Sequence, residues 1–327
     1  MEQITLENST LKVSRLCFGG CPMGGHGWGD VSKAEVIKAV HSALDKKVNF
    51  FDTADIYGRG ESEKILGEAL RGRREEAVIA SKFGVRMDAN NKAIYDNSPQ
   101  WINETLNNSL KRLKTDYIDL YQIHYRDDKT SLVEIVETLE KLKKEEKIRY
   151  FGLSNLKMSD VNEITHVKSH FSTFQNEFSL ANRDHEPVIF KSTHELGLSP
   201  LTWGSLGQGI LTGKYDSQSK FDSNDRRSRP IYKNFHGEKL QHNLRIVEGL
   251  RNIADQINKP VSAVAIRWIL DFLPGSVVIT GVKSREQLEM NELSLGWTLD
   301  RSQVSHLCKI FNTEVTEIMN SENIGVM

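Results

Sequence analysis

Short, largely apolar runs alternate with longer amphipathic ones along most of the chain. Leu16-Cys17-Phe18-Gly19 is the first such run. Ser32 then caps a helix through Lys46, with Val36, Ile37, Val40, Ala43 and Leu44 on one face. The order repeats: strand Val48 to Phe51, helix Glu61 to Arg71 with Gly72 beyond it, strand Ala77 to Ala80, and a helix opened by Ser98-Pro99 that runs to Arg112. Strand Tyr117 to Ile123, helix Leu132 to Lys144, strand Ile148 to Leu153, a helix from Ser159 and strand Phe171 to Gln175 follow. Helix Glu186 to Leu196, strand Leu198 to Trp203, helix Ser262 to Phe272 and strand Ser276 to Thr280 complete the alternation. Runs apolar on both faces and joined by helices are the mark of parallel strands, and eight of them predict a (β/α)8 TIM barrel. A doubly wound sheet is the runner-up. It would place G-x-G-x-x-G directly after its first strand, which Gly19-Gly20-Cys21-Pro22-Met23 does not match.

Several segments stand outside the alternation. Residues 1–15 read as an N-terminal β-hairpin, Gln3 to Leu6 and Leu11 to Val13 split by Asn8-Ser9. Gly84 to Asn97 reads as a loop. Asp216 to Glu238 is polar and basic, 239–256 and Asp300 to Ile310 read as extra helices, and the tail from Asn312 ends without aromatic residues. With no linker or repeat, 1–327 is expected to be a single domain.

The composition narrows the function classes. In 327 residues, 43 Lys and Arg balance 44 Asp and Glu, so no global charge recruits nucleic acid or an anionic membrane. No apolar run is long enough to span a bilayer, and MEQITLENST lacks the features of a secretory signal. Cys17, Cys21 and Cys308 are an odd number without C-x-x-C and read as reduced thiols of a cytoplasmic protein. His166 and His170 have helical i,i+4 spacing, but no third ligand accompanies them, so surface histidines and no metal are expected.

The chemistry concentrates in VNFFDTADIYGRGESEKILGEAL, Val48 to Leu70. A buried strand ends in Asp52, with Tyr57 five residues on. An unpaired carboxylate at a core edge is costly and needs a cation. Lys82, just past the next strand, is the expected partner, and His124 follows the strand after that. Parallel neighbours would gather Asp52, Tyr57, Lys82 and His124 at one end of the barrel. Any one of them alone reads as an ordinary solvated or structural residue; four at the same strand ends do not.

This constellation resembles the catalytic tetrad of the aldo-keto reductase superfamily, and FDTADIYGRGESEKILGEAL resembles the signature around its catalytic tyrosine. The resemblance runs from Gly19 to about Trp297. It implies a hairpin capping the closed bottom of the barrel and a nicotinamide cofactor, since lysine and tyrosine supply no hydride. Tyr57 would be the general acid/base. Lys82 would lower its pKa by an attraction on the order of 4 kcal/mol, taking ~4 Å and an effective dielectric of ~20. Asp52 would aim Lys82, and His124 would hydrogen-bond the substrate oxygen or share the proton. The resemblance implies cofactor contacts from Gly20, Cys21, Met23, Asp52, Ser154, Asn155 and Gln175, with Trp203 against the nicotinamide. Gln175-Asn176-Glu177-Phe178 continues to Arg183 as the family motif does, with Phe178 where tyrosine is common. Leu206-Gly207-Gln208-Gly209-Ile210-Leu211-Thr212-Gly213-Lys214-Tyr215 resembles the pyrophosphate loop, preceded by Gly204-Ser205 where Ser-Pro is usual. Gly281, Lys283, Gln287 and Asn291 resemble the adenosine-phosphate site, with Met290 where a glutamate often stands. Asp216 to Glu238 would form a flap carrying Arg227.

Lys283 and Arg227 make NADP the expected cofactor and NAD the less favoured one. The loop around Trp28 and Trp203-Gly204-Ser205 are most similar to the short-tailed bacterial, general-stress-protein branch. The expected activity is reduction of a small aldehyde, ketone or sugar carbonyl, or the reverse, by a monomer or homo-oligomer. One rival is a cofactor-binding regulatory subunit of the potassium-channel beta type, with little turnover. The other is a lyase using Lys82 as a Schiff-base nucleophile, which Asp52 beside it argues against.

Overall fold

The computed structural model describes residues 1–310 apart from His26, Ala89 and Asn91; the tail read from Asn312 lies outside the described residues. A hairpin of β1 (Gln3–Thr5) and β2 (Lys12–Ser14) precedes β3 (Leu16–Gly19), the first barrel strand. Helix α1 (Lys33–Asp45) leads to β4 (Phe50–Asp52), and α2 (Glu61–Ala69) leads to β5 (Val78–Phe83). A second hairpin, β6 (Val85–Met87) with β7 (Ala93–Tyr95), precedes α3 (Pro99–Leu113) and β8 (Ile118–Ile123). Then come α4 (Leu132–Lys144), β9 (Ile148–Ser154), α5 (Asp160–Thr165), β10 (Phe171–Glu177), α6 (Glu186–Lys191) and β11 (Ser199–Trp203). Helices α7 (Gly237–Ile257) and α8 (Val261–Phe272) precede β12 (Val277–Gly281), and α9 (Arg285–Glu292) and α10 (Arg301–Ile310) end the described chain.

Eight strands close in the order β3-β4-β5-β8-β9-β10-β11-β12, every pair parallel and β12 back against β3. Closure removes the open edges of the rival doubly wound sheet, so the barrel stands. The helices start where side chains stop the chain elsewhere: Ser32, Ser98 and Ser131 each accept a hydrogen bond from the backbone three residues on.

Strand alternation divides the apolar residues into two cores. Phe51, Ile79, Tyr121 and Leu153 pack outward against the helices. Cys17, Phe50, Ala80, Leu120, Leu201, Val277 and Ile279 fill the barrel, and Leu6, Leu11 and Val13 of the first hairpin join them. The hairpin therefore plugs the N-terminal end of the barrel, and the opposite end is left for polar groups.

The structure departs from the reading in a few places. The loop Gly84 to Asn97 holds the β6–β7 hairpin. Its strands are three residues long and partly exposed, so they give no apolar run. The helix after β10 turns from α to one π turn at Ser192–Leu196. Asp216 to Glu238 carries short 3₁₀ turns, Arg226–Ser228 and Lys233–Phe235, and α7 starts within it at Gly237. Among the described residues, no helix is long and apolar enough to cross a membrane.

Candidate active site

The residues that fill the barrel fix what lies two positions further along each strand. Phe50 is followed in parity by Asp52, Ala80 by Lys82, Leu120 by Gln122 and Leu201 by Trp203. In register, Asp52 lies opposite Ala80 and Lys82 opposite Gln122. A polar layer thus sits on the apolar one at the C-terminal mouth.

Lys82 is its centre and is completely buried. Its Nζ donates to Asp52 Oδ1 at 2.8 Å, to Asp52 Oδ2 at 2.7 Å and to the Thr53 carbonyl at 2.9 Å, and it lies 3.4 Å from Tyr57 Oη. Asp52 Oδ2 also accepts from Gln175 Nε2 at 2.9 Å and, more weakly, from Gln122 Nε2 at 3.5 Å. The predicted Asp52–Lys82 pair is therefore present, saturated with partners. The Tyr57 ring meets the His124 ring edge-on, centroids 5.8 Å apart. All four expected residues come together.

Electrostatics differ from expectation at Tyr57. Burial pushes its phenol well above the usual value of 10, and the Asp52 carboxylate pushes the same way. The sequence reading had Lys82 lowering it, but Asp52 neutralises that ammonium at closer range than the phenol feels it. Burial and the Lys82 charge press His124 well below 6.5, so its ring is neutral. Asp55 is pushed up to about 7 by burial and then by Glu63, against Arg112.

The loop that carries Tyr57 is locked by glycines. Gly58, Arg59 and Gly60 all have positive φ. A Cβ on Gly24 would come within 2.6 Å of the Gly58 nitrogen, so the turn after β3 and the Tyr57 turn touch backbone to backbone. Gly20, Cys21 and Met23 lie on that first turn, and the Gly20 carbonyl accepts from Ser62 at 2.8 Å.

The residues expected to hold a cofactor ring the same mouth. Ser154 ends β9, and its hydroxyl donates to the Gln175 carbonyl at 3.0 Å; Asn155, at φ +55°, donates to the His124 carbonyl at 3.0 Å. Trp203 ends β11, Gly204 follows with φ +66°, and the Ser205 hydroxyl donates to the Thr202 carbonyl. Leu206 leads into a turn in which Gly207, Gln208 and Gly209 all have positive φ, and Gln208 accepts from Asn234. Phe178 packs on Trp268 and Phe272 in a buried cluster. Gly281 ends β12 against Pro22. Ser284 caps α9, Gln287 accepts from the Lys283 backbone N–H, Asn291 is buried and Met290 is exposed.

The cations of this rim crowd one another. Burial pushes the Lys283 ammonium down, and the positive charges of Arg227 and Lys214 add to it, against Asp225 and Asp30. Such a cluster fits an anion. Each predicted phosphate ligand already has an internal partner: Arg227 is paired with Asp225 through Nε at 2.9 Å and Nη2, and Lys283 donates to the Trp28 carbonyl at 2.7 Å. Arg285, by contrast, is exposed and paired with Glu289.

Sequence reasoning missed several groups here. Gln122 could have been found from barrel parity once Lys82 was placed. Glu63 is wholly buried, paired with Arg112 at 2.6 Å and bonded by Ser81 at 2.6 Å. Tyr125 stacks on His124, and Tyr95 stacks on Tyr125. Neither had a signal, since both arise from long-range packing. His170 pairs with Glu140 at 2.8 Å on the barrel's outer face.

Two outcomes follow from the buried charges. Lys82→Met leaves Asp52 unpaired in the core and is expected to cost about 3–5 kcal/mol in urea unfolding; wild-type stability would mean that Gln175 and Gln122 suffice for the carboxylate. Asp55 ionises near 3.8 when unfolded and near 7 when folded, so folding favours its protonated form. That contribution is complete below 3.8 and is lost as pH rises through about 7. Asp55→Asn should therefore gain stability over wild type across that window, read by unfolding at pH 5 and pH 8; a constant difference would place the carboxyl elsewhere.

The family model described as "Aldo/keto reductase family" matches residues 15–312. The chain is 30% identical to aldo-keto reductase YhdN of Bacillus subtilis over 98% of its own length and 97% of the relative's. It is 33% identical to aldo-keto reductase yakc [NADP(+)] of Schizosaccharomyces pombe, over 83% and 81%. The structure of a glycerol dehydrogenase from Gluconobacter oxydans superposes with a TM-score of 0.85 at 30% identity, covering 94% of each chain. With its closed barrel and the family model spanning nearly all of it, this chain belongs to the aldo/keto reductase family.

Proposed function

We propose that this protein is an NADP-dependent oxidoreductase that reduces a small aldehyde, ketone or sugar carbonyl to an alcohol, or runs the reverse, with Tyr57 as the general acid/base. The observation that carries this reading is the buried Lys82 ammonium 3.4 Å from a phenol that is kept protonated.

When bound, the nicotinamide supplies the hydride. Tyr57 Oη donates its proton to the substrate oxygen as that oxygen gains charge. The phenolate left behind is formed beside Lys82, which stabilises it only in that state, so the lysine favours the transition state over the ground state. Asp52 keeps the ammonium charged and aimed. Neutral His124 offers a ring N–H to the same oxygen. In the alcohol-oxidising direction the proton returns to Tyr57. General acid catalysis of this kind is typically worth about 10²–10⁴-fold.

Ser154, Asn155 and Gln175 would hold the carboxamide end of the cofactor, Trp203 its ring face, Gly207 to Lys214 its pyrophosphate, and Lys283 with Arg227 its 2′-phosphate. The crowding of Lys283, Arg227 and Lys214 supports a cofactor that carries a 2′-phosphate over NAD, which has a hydroxyl there. The NADP(+) in the name of the fission-yeast relative points the same way, and the glycerol dehydrogenase adds polyols to the compounds to be tested. Cys17, Cys21 and Cys308 form no disulfide and suit a reducing compartment, which we take to be the cytoplasm.

Tyr57→Phe should lose at least two orders of magnitude in turnover, within the range of general acid catalysis, while binding NADPH as wild type does. Retained activity would sink the role of Tyr57. Wild type that binds NADPH but reduces no member of an aldehyde, ketone and sugar panel would favour a regulatory subunit instead. Lys283→Ala should weaken NADP binding by roughly 1.5–3 kcal/mol, as expected for a hydrogen bond to a charged group, with NAD binding almost unchanged in fluorescence titration. Equal losses for both would mean that Lys283 does not read the 2′-phosphate.

A further inference from the structure

His124 has an unusual support. Its backbone is well held: the N–H donates to the Phe83 carbonyl at 2.8 Å and the carbonyl accepts from Asn155 at 3.0 Å. Its ring is not held in the same way. Nδ1 is buried and has no hydrogen-bond partner. A histidine that must present one nitrogen to a substrate usually has the other fixed by a hydrogen bond. Here the ring orientation is left to packing.

That packing is a column of rings. Tyr57 meets His124 edge-on. Tyr125 stacks on His124, centroids 5.0 Å apart and planes 22° apart. Tyr95 stacks in turn on Tyr125, at 5.0 Å and 17°. Tyr95 belongs to β7 of the second hairpin, and its side of the column faces solvent at 48% exposure.

The hairpin is fastened to the loop that follows β8. The Asn97 N–H donates to Asp127 Oδ2 at 2.8 Å and the Asp127 N–H donates to Asn97 Oδ1 at 2.8 Å. Asn97 Nδ2 also donates to the Tyr125 carbonyl at 3.1 Å. Gly84, at φ +101°, has the Asn97 amide where a Cβ would lie. These bonds fix the height of Tyr95 over Tyr125, so an outer tyrosine presses on an inner one, and the inner one presses on His124.

We infer that Tyr95, through Tyr125, is a positioning residue that sets the His124 ring for hydride transfer to the substrate carbonyl. The inference rests on the proposed role of His124. Offset aromatic stacking is strong enough, with the Tyr57 edge contact, to favour one orientation of a ring whose Nδ1 has no hydrogen bond. It makes the β6–β7 hairpin part of the catalytic support, not merely a rim of the pocket.

The test is a double-mutant cycle on single-turnover reduction by preformed NADPH complex, which keeps slow variants measurable. Tyr95→Ala, at an exposed position, should fold with a near-wild-type Tm and bind NADPH unchanged. Its hydride-transfer rate should fall about two- to tenfold, the worth of one aromatic contact, with a much smaller change in KM. Tyr95→Phe should restore the rate, because it keeps the ring. In a His124→Gln background, Tyr95→Ala should have no further effect. A full-sized loss in that background would overturn the inference and make Tyr95 a substrate contact. An unchanged rate in Tyr95→Ala alone would overturn it too. If His124→Gln itself reacts at the wild-type rate, the proposed role of His124 fails, an outcome distinct from both.

Discussion

An ammonium with no access to water is the constraint from which the site is built. Lys82 can be buried only where every proton finds an acceptor, and both Asp52 oxygens and the Thr53 carbonyl provide them. Asp52 in turn is held by Gln175, four strands away around the barrel. One ion pair therefore ties β4, β5 and β10 together across the mouth. The apolar plug beneath, closed by the first hairpin, keeps the pair dry. Tyr57 Oη, 3.4 Å away, stands next to the same nitrogen.

Burial then acts on the neighbours in opposite senses with one result. It raises the tyrosine and lowers the histidine, and both end as neutral hydrogen-bond donors. Around a single compensated pair the site offers two uncharged donors. Under the proposed reading, charge appears there only when a substrate oxygen draws a proton, and the field that meets it is already in place.

Much of this was legible in the sequence, for physical reasons. Barrel strands are buried on both faces, so short apolar segments such as Leu16 to Gly19 and Ala77 to Ala80 stand out between the amphipathic helices. Asp52, Lys82 and His124 stand out because a polar group at the end of such a run needs an explanation. The β6–β7 hairpin was invisible, since three-residue exposed strands carry no period. The direction of the Tyr57 shift differs from the expectation because the Lys82 charge alone does not set it: burial, which a sequence does not show, raises it most, and the Asp52 carboxylate adds to that. The stack of Tyr95, Tyr125 and His124 joins a hairpin to a strand end through packing alone, which no spacing encodes.

The pairing of Arg227 with Asp225 has a consequence for what the rim will accept. A carboxylate tethered two residues from its guanidinium acts at a high effective concentration. Loose anions in solution must compete with that built-in counter-ion for the arginine, and a singly charged one has little to offer in exchange. An anion with two charges that reaches Lys283 at the same time gains a second cation. Under the proposed reading, the acid on the rim would work as a filter, trading some affinity for every anion against discrimination in favour of a dianion seated between two bases.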